Sequence, residues 1–372
     1  MTPRLANRRE LLRWTVAALA AGLAPGVFAG PLQAGEQPRV GRRRMIIRAD
    51  DVGFTTVCNL GTFEAIRNGV VTAADVMLDC PGTEDALLRL RELPWISVGW
   101  HMHMWGAPVT APAEVPTLVE ASGPFKGRFR TDLHTGENVS IAEAIRELKA
   151  QLARCQRILG RLPDTAGSSD PVSPWERAVR TVLDESGVPY NFMARAPADA
   201  QSVQKITEAL RTGAEWAQAY PKQFGGWRDA DPKWAGRKIV SLAPTTAYAD
   251  LYTDSISEVE EKYDPVLYYT EDRGGILSYP EDVITEQSWH PGWIDYFVYR
   301  TGERAHRARA RQFVVSRAQD VASLCDERLK AWIRAHRIEL VSCRDALLGT
   351  GDYQAHLRGI GSDLAVPAAV ER

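Results

Sequence analysis

Apolar runs alternate with segments of helical periodicity along most of this 372-residue chain. The first apolar run, residues 45–49, has the length of a buried strand and is followed by a helical pattern over residues 59–68. In that pattern Leu60, Phe63 and Ile66 recur at helical spacing, so we expect them to face the core. A strand followed by a helix is the first half of a parallel β-α-β unit.

The same alternation continues to the end of the chain. Ser140 and Ser173 are each followed three residues later by a Glu, a capping box that predicts the start of a helix. The predicted helices lie at residues 83–92, 140–160, 173–187, 304–334 and 344–348. The further predicted strands lie at residues 70–77, 96–100, 164–170, 189–194, 238–242, 284–289 and 338–341. Alternating strands and helices favour a parallel sheet with helical crossovers, so the sequence predicts an α/β fold.

The length allows one large domain, because α/β barrels of about 250 residues form a single unit. We expect this domain at residues 42–350, with an inserted or irregular region at 197–269, where the alternation breaks. Residues 351–372 are expected to form a loose C-terminal tail.

The N-terminal 35 residues have the pattern of a targeting segment. Arg8 and Arg9 precede an apolar stretch at residues 15–24, and small residues follow with plausible cleavage after Ala29 or Ala34. This pattern predicts export to the periplasm by the twin-arginine machinery. The apolar stretch is short for a membrane span, and no Cys lies near the cleavage region, so no stable membrane anchor is expected. The alternative is a basic N-terminus on a cytoplasmic protein.

Composition excludes two function classes. The formal net charge is −2, which gives no electrostatic reason to expect nucleic-acid binding. The five cysteines include no Cys-x-x-Cys pair, so a zinc finger is excluded and buried thiols are the favoured interpretation.

Candidate chemistry lies where three predicted strands end. Asp50 and Asp51 end the first strand, His101 and His103 follow the strand at 96–100, and His290 follows a later strand. In parallel barrels the active site lies at the carboxyl ends of the strands, so we expect these side chains to converge. Carboxylate and imidazole ligands suit zinc or another divalent cation that keeps an open position for water. The predicted reaction class is metal-assisted hydrolysis.

Four tryptophans are candidate substrate-binding residues. Trp227 and Trp234 lie among glycines and other aromatic residues in the irregular region, while Trp105 and Trp293 flank the candidate histidines. Exposed aromatic rings suit stacking on sugar faces. For the irregular region a small satellite core remains an equal alternative.

At these residues the chain resembles the YdjC-like carbohydrate deacetylases, which hydrolyse the N-acetyl group of amino sugars, including chitooligosaccharides. The resemblance extends from Arg44 to about Leu348 and implies an irregular, TIM-like (β/α) barrel with a single catalytic domain. Its motifs, in chain order, are Ala-Asp-Asp-Val-Gly at 49–53, Asn-Gly-Val-Val-Thr-Ala at 68–73, Val-Gly-Trp-His at 98–101, Gly-Ala-Pro-Val at 106–109, Val-Pro-Thr-Leu-Val at 115–119 and His-Pro-Gly-Trp at 290–293.

The resemblance implies a role for each candidate residue. Asp51 and His101 would be metal ligands, and His290 would be the general acid. Asp50 would be the catalytic base, by likeness to the wider polysaccharide deacetylases. The family's ion is usually written as magnesium, although the ligand types fit zinc at least as well.

One position departs from the family. Where the family carries Asp-Ser-His-x-His, whose first His is the third metal ligand, residues 164–171 read Asp-Thr-Ala-Gly-Ser-Ser-Asp-Pro. Ser169 therefore stands at the ligand position, and serine is a poor ligand for these cations. Asp170, one residue away, is the favoured substitute and His103 the next. Weak metal binding, or none, is the remaining alternative.

The sequence thus predicts an exported hydrolase that uses a divalent metal, magnesium or zinc, to remove an acetyl group from an N-acetylated or O-acetylated sugar or oligosaccharide. Two alternatives remain. One is a metal-free carbohydrate-binding protein on the same barrel, and the other is a metal hydrolase of another substrate class, since a fold does not fix a function.

Overall fold

The computed structural model describes residues 42–167, 172–195, 229–242, 264–272, 275–306 and 310–367. The predicted export signal at 1–35, the candidate ligand Asp170 and the candidate substrate contact Trp227 lie outside the described residues. Among the described residues, no helix is both long and apolar enough to cross a membrane.

The described strands form one parallel sheet with β1 at its centre. The strands are β1 (Arg44–Val52), β2 (Ala73–Val76), β3 (Ser97–Trp100), β4 (Thr165–Ala166), β5 (Ala194–Arg195), β6 (Ile239–Ser241), β7 (Ile284–Trp289) and β8 (Glu339–Leu340). Their order is β4-β3-β2-β1-β7-β6-β5, and β8 pairs with the first residues of β1. The predicted alternation of strands and helices is therefore confirmed.

Helices connect these strands and cover the sheet. They are α1 (Thr56–Arg67), α2 (Thr83–Arg91), α3 (Ile141–Leu159), α4 (Pro174–Ser186), α5 (Pro232–Ala235), α6 (Val266–Thr270), α7 (Tyr296–His306), α8 (Ala310–Leu324), α9 (Glu327–Ala335), α10 (Cys343–Leu348) and α11 (Asp352–Gly359). Short 3-10 turns lie at Pro112–Glu114 and Ile276–Ser278.

The sheet curves like a barrel but does not close into one. Its strand path ends at β4 on one edge and β5 on the other, and in the described part of the chain a single bridge, between Ala166 and Tyr190, connects these edges. Each edge strand has two residues, too few to form a continuous hydrogen-bonded ladder. The prediction of a TIM-like barrel is thus confirmed for the parallel α/β arrangement. The prediction that the barrel closes is wrong.

Side chains of β1 alternate between two environments because strand residues point to opposite faces. Met45, Ile47 and Ala49 pack in the main core, beneath the helices. Ile46 packs with Ile284 and other first residues of the neighbouring strands in a second cluster. The residues that follow Ile46 on its face of β1 are Arg48 and Asp50, so the curved interior of the sheet changes from apolar to charged toward its carboxyl end.

Two local predictions are wrong. Helix α1 begins at Thr56, three residues earlier than predicted, because Thr55 caps it by accepting a hydrogen bond from the Cys58 N–H. Phe63 and Ile66 are buried as expected, but Leu60 is exposed.

The predicted buried thiols are confirmed for four of the five cysteines, and all five are free.

The C-terminal segment is not a loose tail. Residues Asp352–Gly359 form helix α11, and Tyr353 and Leu357 are buried against the main core. The ring of His356 stacks on Trp95, with centroids 3.6 Å apart. Apolar residues at helical spacing therefore anchor this segment, and residues 368–372 lie outside the described part.

Candidate active site

The two carboxylates that end β1 face different partners. Asp50 accepts two hydrogen bonds from Arg48, from Nε to Oδ1 at 2.7 Å and from Nη2 to Oδ2 at 3.1 Å. Asp51 has a φ of +59°, a left-handed conformation that Asp tolerates better than most residues. This turn of the backbone directs its carboxylate away from Arg48 and toward the ends of other elements.

Asp51 lies between a guanidinium and two imidazoles. Its Oδ2 accepts a short hydrogen bond from Nη2 of Arg317, which is buried in α8. Its Oδ1 lies 3.1 Å from Nε2 of His101 and 3.8 Å from Nε2 of His103. The predicted convergence of the first and third strands therefore occurs in the structure.

The parallel register of the sheet brings His101 close to Asp51. The His101 N–H donates to the carbonyl of Val76 at 2.9 Å, continuing the ladder between β2 and β3 by one residue. Asp51, which directly precedes the partner of Val76 on β1, Val52, is thereby brought level with His101. One ligand atom from each of Asp51, His101 and His103 lies within 4.8 Å of the others.

These donor atoms fit a divalent cation. Oδ1 of Asp51 and Nε2 of His101 are buried, and apart from the 3.1 Å contact between them neither has a hydrogen-bond partner among the described residues. Buried polar atoms are normally satisfied, so two buried ligand-type atoms with no partner beyond each other indicate a missing ligand. A carboxylate with imidazoles suits zinc and similar ions better than magnesium, which prefers oxygen ligands.

Charges around the site keep both carboxylates ionised. Burial raises the pKa of Asp51, but Arg317 and the contact with His101 outweigh it, and the pKa lies well below its usual value. Burial likewise opposes ionisation of Asp50, yet Arg48 and the neighbouring histidines lower its pKa. For His101, burial is outweighed by the charges of Asp50 and Asp51, which raise its pKa to about 9.

Arg48, Asp75 and Glu286 form a buried charged layer next to Asp50. Nε of Arg48 lies 3.4 Å from a carboxylate oxygen of Asp75 and 3.4 Å from one of Glu286. Burial raises the pKa of both carboxyl groups, although Arg48 opposes it. Gly99 leaves space for this layer, because a Cβ at that position would lie 1.9 Å from Oδ1 of Asp75.

His290 reaches the site on a turn that is fixed against α1. Its backbone N–H donates to Asp320 at 3.0 Å, and the hydroxyl of Thr62 donates to the carbonyl of Pro291 at 2.6 Å. Gly292 packs so closely on α1 that a Cβ there would lie 2.3 Å from Sγ of Cys58. Burial lowers the pKa of His290, so its ring is neutral at pH 7.

A family model described as YdjC-like protein matches residues 44–335, from β1 to α9. The chain belongs to the YdjC-like family. The resemblance inferred from the sequence motifs is therefore confirmed.

Curated relatives of this YdjC-like chain have deacetylase names. A chitooligosaccharide deacetylase from Citrobacter koseri is 31% identical over 188 residues, which cover 50% of this chain and 70% of that protein. Carbohydrate deacetylase 2 from Listeria innocua is 23% identical over 308 residues, 81% of this chain and 98% of that protein. A carbohydrate deacetylase from Brevibacillus brevis is 38% identical over 112 residues, but the match spans 43% of that protein.

A solved structure shares the fold. It is an Enterococcus faecalis protein described as a cellobiose-phosphate cleavage protein, with a TM-score of 0.53 and 19% sequence identity. The match covers 81% of the YdjC-like chain and 98% of the other. At this identity the likeness supports the irregular α/β architecture alone.

An open cavity of about 290 Å³ lies beside the histidines of the YdjC-like site. Its lining includes His101, His103, His134, Trp175, Glu176 and Arg195. His134 is held in this wall by the buried Glu176, with Nδ1 and Oε1 3.0 Å apart. The cavity therefore connects the candidate metal ligands with solvent.

The predicted tryptophans have different surroundings. The ring of Trp105 stacks on His103, with centroids 4.4 Å apart and planes 6° apart. Trp293 is 38% exposed, three residues after His290. Trp234 instead packs against the cluster of Ile239 and other first residues of the strands. The candidate ligands instead follow the last residues of the strands, so the substrate contact of Trp234 stays a prediction.

Sequence reasoning missed Arg48, Arg317, Asp75 and Glu286. A signal for Arg48 was present, because residues two apart on a strand share a face and Arg48 precedes Asp50 by two. Arg317 has no such signal, since it contacts a residue 266 positions away.

Proposed function

We propose that this protein is a divalent-metal-dependent hydrolase that removes an acetyl group from an N-acetylated amino sugar or oligosaccharide. Family membership and the names of its relatives support the reaction and the substrate class. The observation that carries the proposal is the pair of buried ligand-type atoms on Asp51 and His101, which lie 3.1 Å apart and have no other hydrogen-bond partner among the described residues. The carboxylate of Asp50 lies next to them along β1.

Each residue has a role in this proposal. A divalent ion held by Asp51 and His101 would polarise the acetyl carbonyl and lower the pKa of a water molecule. Asp50, ionised and held by Arg48, would accept the proton of the attacking water. His290 is neutral at rest because burial lowers its pKa, so it would receive this proton from Asp50 and donate it to the leaving amine. Trp105 and Trp293 would flank the sugar.

The proposal is tested by measuring acetate release from N-acetylglucosamine oligomers with and without a chelator, together with metal content. Asp51→Asn and His101→Ala should lose both the metal and the activity. Asp50→Asn should keep the metal and lose activity, because an amide accepts no proton from water. Full turnover by Asp50→Asn would refute its role, and chelator-resistant turnover would refute metal dependence.

One observation favours a second candidate, a metal-free carbohydrate-binding protein. Arg317 already supplies a positive charge to Asp51, and residues 164–171 contain no His at the expected ligand position. This candidate is supported if oligosaccharides bind with equal affinity in the presence of a chelator and no acetate appears. The same assay can be repeated with a panel of other esters and amides. Hydrolysis of one of these, or release of a different acyl group, would instead identify a metal hydrolase of another substrate class.

We further propose that residues 1–35 direct export to the periplasm through the twin-arginine machinery, on the basis of the Arg pair before the apolar stretch. Replacing Arg8 and Arg9 by Lys should retain the protein in the cytoplasm of a bacterial host. Unchanged periplasmic recovery in that variant would contradict the proposal.

A further inference from the structure

The candidate metal centre needs one more protein ligand. Catalytic zinc sites usually have three protein ligands and leave the fourth position to water or substrate. Asp51 and His101 supply two. Ser169 stands where the third ligand was expected, so another residue has to complete the set.

The geometry points to His103. Ligands at about 2.0–2.1 Å from a tetrahedral ion lie about 3.3 Å from one another. Nε2 of His101 and Nε2 of His103 lie 3.1 Å and 3.8 Å from Oδ1 of Asp51, on either side of that value. A shift of about half an ångström or less would bring each nitrogen to ligand spacing from Oδ1, and one ligand atom from each of the three residues lies within 4.8 Å of the others.

The backbone and the aromatic neighbours of His103 hold its ring in this place. Residues two apart in an extended segment face the same side, so His103 follows His101 toward Asp51. Trp105 stacks on the ring of His103, and Trp105 itself packs on Phe54, which is fully buried. The ring of His103 is therefore positioned before any ion binds.

The exposure of the three side chains also fits a catalytic centre. Asp51 and His101 are 1% and 15% exposed, whereas His103 is 43% exposed and lines the open cavity. An ion with two deep ligands and one at the cavity wall would keep its remaining position open toward the cavity. A substrate would enter from that side.

We propose that His103 is the third protein ligand of the divalent ion, in a His-x-His pair that replaces the histidine missing from residues 164–171. This inference rests on the metal centre of the proposed function. It predicts that both imidazoles of one segment bind the same ion, while Asp170 does not.

The test is metal affinity of the full chain, measured by competition between the protein and a chromophoric chelator for Zn²⁺ and Co²⁺. Loss of one ligand should weaken binding by about 100-fold or more, since even residues that only orient ligands contribute 10–100-fold. We expect this loss for His103→Ala, partial recovery for His103→Asp, and no change for Asp170→Asn. His336→Ala is the control, because it removes an exposed imidazole at the end of α9 rather than one beside the site.

X-ray absorption of the zinc-loaded protein gives a second readout that does not depend on activity. We expect two imidazole ligands in the wild type and one in His103→Ala. Wild-type affinity in His103→Ala, or a loss in Asp170→Asn alone, would overturn the inference while leaving the metal-dependent hydrolase intact. Absence of any Zn²⁺ or Co²⁺ binding by the wild type would overturn both.

Discussion

Arg317 and Asp51 form a fully buried ion pair between α8 and the end of β1, with each side chain 1% exposed. The pair assigns separate tasks to the two oxygens of one carboxylate. Oδ2 is fixed by the guanidinium, and Oδ1 is left facing the imidazoles of His101 and His103. A carboxylate fixed in this way can bind an ion through one oxygen without reorientation, as outer-shell partners do in metal sites.

Replacing Arg317 by Met should destabilise the protein by about 3 kcal/mol at pH 7, the lower end of the range for unpairing a buried charge. The lower end applies because His101 remains beside Asp51. Urea unfolding measures the change. Methionine keeps the apolar packing over Phe54, whose ring centroid lies 5.4 Å from the guanidinium.

The double variant Arg317→Met, Asp51→Asn separates charge from packing. Without the carboxylate no unpaired charge remains, so we expect it to recover most of the lost stability. If the loss of stability in the double variant instead equals the sum of the losses in the two single variants, Arg317 acts through packing alone.

Gly99→Ala should destabilise the protein by about 1–3 kcal/mol, the usual cost of an overpacked core. The new Cβ would occupy the space of Oδ1 of Asp75, 1.9 Å away, and displace that carboxylate from Arg48. Gly167→Ala is the control, since in the described part of the chain its Cβ would have no neighbour closer than 4.0 Å. Adding Asp75→Ala to Gly99→Ala should lessen the loss, and equal unfolding midpoints for both glycine variants would refute the steric explanation.

Glu147→Gln should release the loop that follows β3. The buried Glu147 carboxylate accepts from the N–H groups of Val109 and Thr110, at 2.9 and 2.8 Å. An amide offers a single acceptor oxygen, so one N–H loses its partner at a cost of about 1–3 kcal/mol. Amide hydrogen exchange should become faster at one or both of these residues.

Glu143→Ala is the matched control for this loop. The Glu143 carboxylate accepts from the N–H of Thr117 at 2.8 Å, one turn earlier on α3. Its variant should accelerate exchange at Thr117 and leave Val109 and Thr110 protected. Identical exchange patterns in both variants would show that the two carboxylates do not hold separate parts of the loop.

The sequence identified the parts of the site that end strands. Asp50, Asp51 and His101 were found because ligand-type side chains directly follow apolar runs, a pattern that survives errors of a few residues in strand boundaries. Arg317 could not be found, because its position on α8 becomes meaningful only when that helix packs against β1. Closure of the barrel was also beyond reach, since it depends on the lengths of short edge strands rather than on their existence.

The capping boxes show how tertiary partners change a local pattern. Ser140 and Ser173 cap α3 and α4 as predicted, each accepting from the N–H three residues on. The carboxylates of Glu143 and Glu176, however, contact Thr117 and His134 in other segments. The starts of both helices are therefore predictable from the sequence. The contacts of the two glutamates with other segments are not.

Asp79 should make the stability of the protein depend on pH between about 4 and 6. Its buried carboxyl group accepts from the N–H of Gly106 at 2.6 Å, and burial outweighs this bond and raises its pKa to about 6. An unfolded chain releases the same proton near pH 3.9. Between these values the folded state holds more protons, so stability falls as the pH rises through this window.

A shift of about two pKa units corresponds to about 3 kcal/mol. Asp79→Asn imitates the protonated form at every pH, so its stability relative to the wild type should rise by about that amount from pH 4 to pH 7. Urea unfolding at both values measures the difference, with Glu84→Gln, on the exposed first turn of α2, as the control. A difference between Asp79→Asn and the wild type that stays constant across the window would mean that Asp79 is already ionised at pH 4.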